Sequence, residues 1–125
     1  MRLRILAALV LVTPVAASAQ AMNADQFYKR ATALQKKGVM ALFSMGEVKA
    51  LTAEGQAAAS RAAEGRKAAL AAGRTPRFCP PPGPGKMGDQ EFLTRLSAIP
   101  AADRSRIDMA EAMNRILAAK YPCRG

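Results

Sequence analysis

The sequence predicts an all-α protein, a small bundle of four to five helices closed by one disulfide. Apolar residues recur at steps of three and four along most of the chain, and capping residues, glycines and prolines punctuate those stretches. The alternating β-branched runs that mark strands are almost absent. The only two cysteines, Cys79 and Cys123, follow a start that reads as an export signal, so a bridge between them is expected.

The first twenty residues read as a cleaved secretory leader. Arg2 and Arg4 give a positive start, Ile5 to Val12 an apolar core, and Ala17-Ser18-Ala19 a small-x-small cleavage site. A membrane-spanning helix takes about 20 apolar residues, and Thr13-Pro14 interrupts this run, so the segment is a leader rather than an anchor. No cysteine follows the small residues, which argues against lipid attachment. Residues 21–125 are expected to form one helical domain, periplasmic or secreted.

Asn23 and Gln26 have capping-box spacing, and Ala24, Phe27, Ala31 and Leu34 share a face of the first helix. Lys36 and Lys37 place positive charge at the negative end of its dipole before Gly38 stops it. The apolar stretch from Val39 to Phe43 reads as one buried helical turn. Ser44 with Glu47 repeats the capping-box spacing and opens a long helix running to about Ala72, with Gly73 as its stop. Its inner stripe is Val48, Leu51, Gly55, Ala58, Ala62, Gly65, Ala69 and Ala72, a thin seam because each buried alanine contributes little apolar area. Gly55 and Gly65 each cost up to about 1 kcal/mol in helix propensity. They mark either a frayed segment or close packing, with packing slightly favoured.

Residues 74–88 form a loop, since Pro76, Pro80, Pro81, Pro82 and Pro84 forbid regular structure. The loop contains Arg74, Arg77 and Lys86 and no acid, which makes it the candidate contact surface; a rigid connector is the plainer alternative. Asp89 can cap the next helix, whose Phe92, Leu93, Leu96 and Ile99 share a face before Pro100 ends it. A last helix is expected from about Ala101, with Ile107, Ala110, Met113, Leu117 and Tyr121 on one side. These two helices form a hairpin expected to pack on Phe27, Leu34, Leu42 and Phe43. A chain of this length buries only about 60–70% of the surface its unfolded form exposes. A bridge across the 44-residue separation of Cys79 and Cys123 answers that marginality with about 4 kcal/mol at most.

Without Arg2 and Arg4, 17 Lys and Arg face 9 Asp and Glu, leaving +8 after export. That balance suits anionic partners, although scattered cations on alanine-rich helices are commonly just solvated faces. Export and the scarcity of aromatic residues, 5% of the chain, argue against nucleic acid. The chain has no histidine, so the commonest general base and the commonest zinc or copper ligand are missing. Asp103, Asp108 and Glu111 read as solvated carboxylates among arginines rather than as a catalytic pair. Ser44, Ser60, Ser97 and Ser105 have no base to activate them. The glycine-rich stretch from Gly83 to Gly88 lacks the Gly-Lys-Ser/Thr ending of a phosphate loop. Met40, Met45, Met109 and Met113 read as core filler rather than copper ligands. A non-enzymatic protein with no cofactor and no metal is expected.

The stretch Phe78-Cys79-Pro80, a capped helix, Ile99-Pro100-Ala101 with Arg104 and Arg106, and an alanine-rich helix closing in Tyr121-Pro122-Cys123 resembles the Rap/Tai immunity proteins of type VI secretion systems. The resemblance spans about Phe78 to Cys123; the amino-terminal half agrees only in being helical. It implies a periplasmic inhibitor, often dimeric, that occludes the active site of a cell-wall amidase delivered by neighbouring bacteria. Many members carry a further cysteine pair among the early helices, which this chain lacks.

Two functions of different class follow. One is an immunity-type binding protein whose preformed surface plugs an enzyme cleft, with specificity from shape and rim charges. The other is an envelope structural or chaperone-like protein whose basic long helix lies against anionic membrane or unfolded clients.

Overall fold

A computed structural model describes residues 21–83 and 85–124. The leader assigned to the first twenty residues lies outside them, as does Pro84. The chain is all-α, with one disulfide between Cys79 and Cys123. It comprises α1 (Ala24–Lys37), a 3₁₀ segment (Gly38–Ser44), α2 (Met45–Ala71), α3 (Asp89–Ala98), the short α4 (Ala101–Arg104) and α5 (Met109–Lys120).

The ends of α1 and α2 form where local chemistry dictates. The Asn23 side-chain oxygen accepts from the Asp25 and Gln26 amides at 2.9 and 3.2 Å, satisfying donors that the first turn leaves unpaired. Gly38 closes α1 with φ +53°, a backbone region that disfavours side chains. At the end of α2, Gly73 (φ +70°) lets its own amide reach the Leu70 carbonyl and the Arg74 amide reach that of Ala69. Two expected caps are absent. Ser44 makes no capping bond: its backbone is not extended (φ −117°, ψ 36°), its hydroxyl accepts from Lys37 Nζ at 3.0 Å, and the Glu47 carboxylate pairs with the Arg30 guanidinium. Asp89 is the first residue of α3, whose cap position falls on Gly88.

The last helix is two helices. Pro100 starts α4, and the chain then turns extended at Asp108, whose Oδ1 caps α5 by accepting from the Glu111 amide at 2.8 Å. An isolated antiparallel bridge pairs Asn23 with Asp108, carried by Ala24 N to Ile107 O (3.0 Å) and Met109 N to Met22 O (2.8 Å). The break is therefore where the chain's start is stitched to its end. Arg104, only 7% exposed, works beside it: its guanidinium donates to the carbonyls of Ile99 and Ser97 and to Asp25, and stacks 4.2 Å from the Tyr28 ring centre.

One core cluster joins these elements. Leu96, Met109 and Ile116 are its largest fully buried side chains, and Phe27 meets Phe92 edge to face at 5.8 Å. α2 packs chiefly on α5. Ala58 and Ala62 are buried in that region, where small side chains permit close approach. Leu51 is the one large buried residue of α2. Gly55 and Gly65 do not serve close packing, since a Cβ at either would meet nothing within 4 Å.

The largest departure from expectation lies between α1 and α2. Val39–Phe43 is not a buried turn: Val39, Leu42 and Phe43 are 81, 71 and 84% exposed. Leu42 and Phe43 are therefore not beneath the α3–α5 pair; Phe27 is buried there and Leu34 half-buried. The 3₁₀ segment touches only its two flanking helices appreciably, so nothing in the bundle covers it. Met40 and Met45 are exposed likewise, whereas Met109 and Met113 fill the core.

Candidate functional site

The helix arrangement leaves a groove. α2 is committed to α5 and touches α1 only lightly, so the amino-terminal half of α2 stands beside α1 without filling the space between them. The result is an open apolar groove of about 710 Å³. Leu34 of α1, Val48 and Leu51 of α2, Phe92 and Leu93 of α3, and Leu117 of α5 are among its apolar lining residues. Its polar side chains are few: Gln35, Thr52, Gln56, Asp89, Lys86 and Tyr121.

One end of the groove is formed by the proline-rich loop, and Lys120 holds that loop. Its ammonium donates to the Lys86 carbonyl at 2.7 Å and to both Glu91 oxygens at 2.6 and 2.7 Å. The bond from Lys120 holds the Glu91 carboxyl below its usual range. Gly85 passes close to Tyr121, where a Cβ would lie 3.8 Å from the phenol oxygen. The disulfide and the bond from the Cys79 amide to the Tyr121 carbonyl (2.8 Å) pin the same loop to the end of α5.

The three expected contact residues do not form one surface. Arg74 and Arg77 line a smaller cleft of about 230 Å³ beside Arg66, Phe78 and Asn114, whereas Lys86 borders the apolar groove. Nor is Arg77 unopposed. Its two terminal nitrogens bond both oxygens of Glu111, at 2.5 and 2.8 Å. That fork holds the Glu111 carboxyl below its ordinary range, helped by Arg115, and raises the Arg77 pKa. The loop has no acid of its own, but the fold brings one from α5. Arg74 and Lys86 are exposed and make no ion pair among the described residues. Cys79 and Cys123 are bridged as expected.

The carboxylates set aside as solvated are structural. Asp108 caps α5, Glu111 bonds Arg77 and Arg115, and Asp103 pairs with Arg115 at 3.3 Å. Among the described residues no group of three or more His, Cys, Asp or Glu side chains is placed to hold a metal, and no helix is long and apolar enough to cross a membrane. What the groove offers is apolar area with a few orienting polar groups, the chemistry of recognition. The sequence signal for it was Gly55 and Ala59 beside Thr52 and Gln56, residues too short or too polar to close a helix interface.

No family model, curated protein or solved structure matches this chain.

Proposed function

We propose that this chain is a periplasmic, non-catalytic binding protein of immunity type that inhibits a peptidoglycan amidase delivered by type VI secretion. The observation supporting a binding role is the apolar groove, open along the bundle and bordered by a loop that is tied down three ways: by the disulfide, by the Cys79 amide and by Lys120. A preformed surface of this kind loses little entropy when a partner docks. The amidase as partner rests on the resemblance of Phe78 to Cys123 to the Rap/Tai proteins. Charges at the rim, Lys86 and Asp89, would set orientation more than affinity.

The groove can be filled without harming the fold. Gly55 lines it, and a side chain there meets open space, so Gly55→Leu should block the groove while raising helix propensity. Affinity capture from periplasmic extract is expected to recover one stoichiometric cell-wall hydrolase with the native protein and none with Gly55→Leu. Equal recovery by both, or no hydrolase with either, refutes the reading. The envelope-protein alternative, expected to lay the basic long helix against anionic membrane or unfolded clients, finds its support in a different feature, the uncovered segment between α1 and α2.

A further inference from the structure

We infer that the 3₁₀ segment Gly38–Ser44 is a wedge that docks the protein on an anionic lipid surface. The inference is independent of the amidase reading and of the groove. Its first support is exposure: Val39, Met40, Leu42 and Phe43 stand out of the bundle, and Met45 continues the apolar surface into α2. Clustered exposed apolar side chains of this size mark an interaction site on a folded domain. The segment is also built to protrude. Gly38 reverses the chain in a conformation that disfavours side chains, and the 3₁₀ turn supplies internal partners for backbone groups that would otherwise enter an apolar medium bare.

Charge decides the occupant. Between Arg30 and Lys49 the chain carries Arg30, Lys36, Lys37 and Lys49 against the single acid Glu47, and Glu47 is taken by Arg30. The Lys37 ammonium reaches Ser44 at the far end of the segment, and Lys49 lies one turn beyond Met45 on the same face. Apolar side chains flanked by exposed lysines are the composition of an interfacial anchor, in which the apolar part enters the headgroup boundary and the cations meet lipid phosphates. A second copy of this chain fits poorly: a two-fold contact here would bring Lys36, Lys37 and Lys49 of both copies together. Seven residues are also few beside the roughly 20–30 per side of a standard protein interface.

The test is co-sedimentation of residues 21–125, which hold the whole described core, with vesicles of phosphatidylcholine alone or mixed with phosphatidylglycerol. Expected is salt-sensitive binding to the anionic vesicles only. Leu42→Ser/Phe43→Ser leaves the charge unchanged and should weaken that binding about tenfold or more, with the helical circular dichroism signal retained. Lys36→Gln/Lys37→Gln/Lys49→Gln should weaken it about fivefold per lysine at low salt. Absence of binding by the native protein, or undiminished binding by Leu42→Ser/Phe43→Ser, overturns the inference. So does self-association in sedimentation velocity, or capture of a protein partner, that is abolished by Leu42→Ser/Phe43→Ser while vesicle binding is not.

Discussion

Removing the disulfide by Cys79→Ala/Cys123→Ala is the perturbation whose size can be worked most directly. The bond joins residues 44 apart, and cutting it restores conformational freedom to the unfolded chain, amounting to about 4 kcal/mol in the loop-entropy treatment. In the folded state little else should change at first. The Cys79 amide still reaches the Tyr121 carbonyl, Phe78 beside it remains buried, and Arg77 keeps Glu111. For a domain of about 100 residues the unfolding entropy is roughly 0.2 kcal/mol per degree, so 4 kcal/mol corresponds to about 15–20 °C in Tm. Thermal and urea melts followed by circular dichroism give both midpoint and slope. The midpoint should fall by that amount, and the urea slope should rise, because the unstapled denatured chain exposes more surface. A loss below about 1 kcal/mol with an unchanged slope would refute the reasoning, since it would mean that the linked segments stay together without the bond.

Three further outcomes follow from local observations. The Asp25, Glu47, Glu91 and Glu111 carboxyls are all held below their ordinary values by cationic hydrogen-bond partners, Lys29, Arg30, Lys120 and Arg77 respectively. Groups whose folded pKa is depressed contribute stability above their unfolded pKa and lose it as pH falls toward the folded value. With no histidine to titrate, Tm should stay nearly flat between pH 5.5 and 8 and drop on acidification below about pH 4.5; a decline already present at pH 6 would contradict this. Asn23→Ala and Asp108→Ala should each destabilise by about 1 kcal/mol in urea melts, and Ser44→Ala by far less, because only the first two side chains cap a helix. Gly65→Ala should stabilise by up to about 1 kcal/mol, since the position is exposed, mid-helix and open where the methyl would lie; a lowered midpoint would show that the helix needs glycine there.

Much of the architecture was legible because it depends on local chemistry. Gly38 and Gly73 end their helices with positive φ, Asn23 caps α1, the described loop residues 74–83 and 85–88 are out of regular structure, and the two cysteines had only each other. What misled was spacing without competition. Ser44–Glu47 has the same capping-box spacing as Asn23–Gln26, but Ser44 follows a 3₁₀ segment and lacks the extended backbone of Asn23, and Arg30, 17 residues before Glu47, takes its carboxylate. Asp108–Glu111 looked like a solvated pair and is a helix start, because the Met22–Asn23 strand-like contact forces an extended residue there. Arg77 looked unopposed because its acid lies 34 residues away. Hydrophobicity alone placed Val39–Phe43 inside, whereas burial also requires a partner surface, and only the flanking α1 and α2 touch that segment appreciably.

The groove and the alanine seam are one consequence of the same composition. Where Ala58 and Ala62 face α5, small side chains draw the two helices together and the seam closes. Toward the start of α2 the groove is walled by α1 and α3 as well as by α5, and there the residues between Leu51 and Ala58 are Thr52, Ala53, Glu54, Gly55, Gln56 and Ala57, with no large apolar side chain to span the gap. Small residues shorten an interface that can close and leave open one that is held apart, and α2 is held by its contact with α5. A leucine at Gly55 restores the missing volume, so it should raise stability as it abolishes recognition. A variant that lost both would instead indicate that the groove is packed shut in solution.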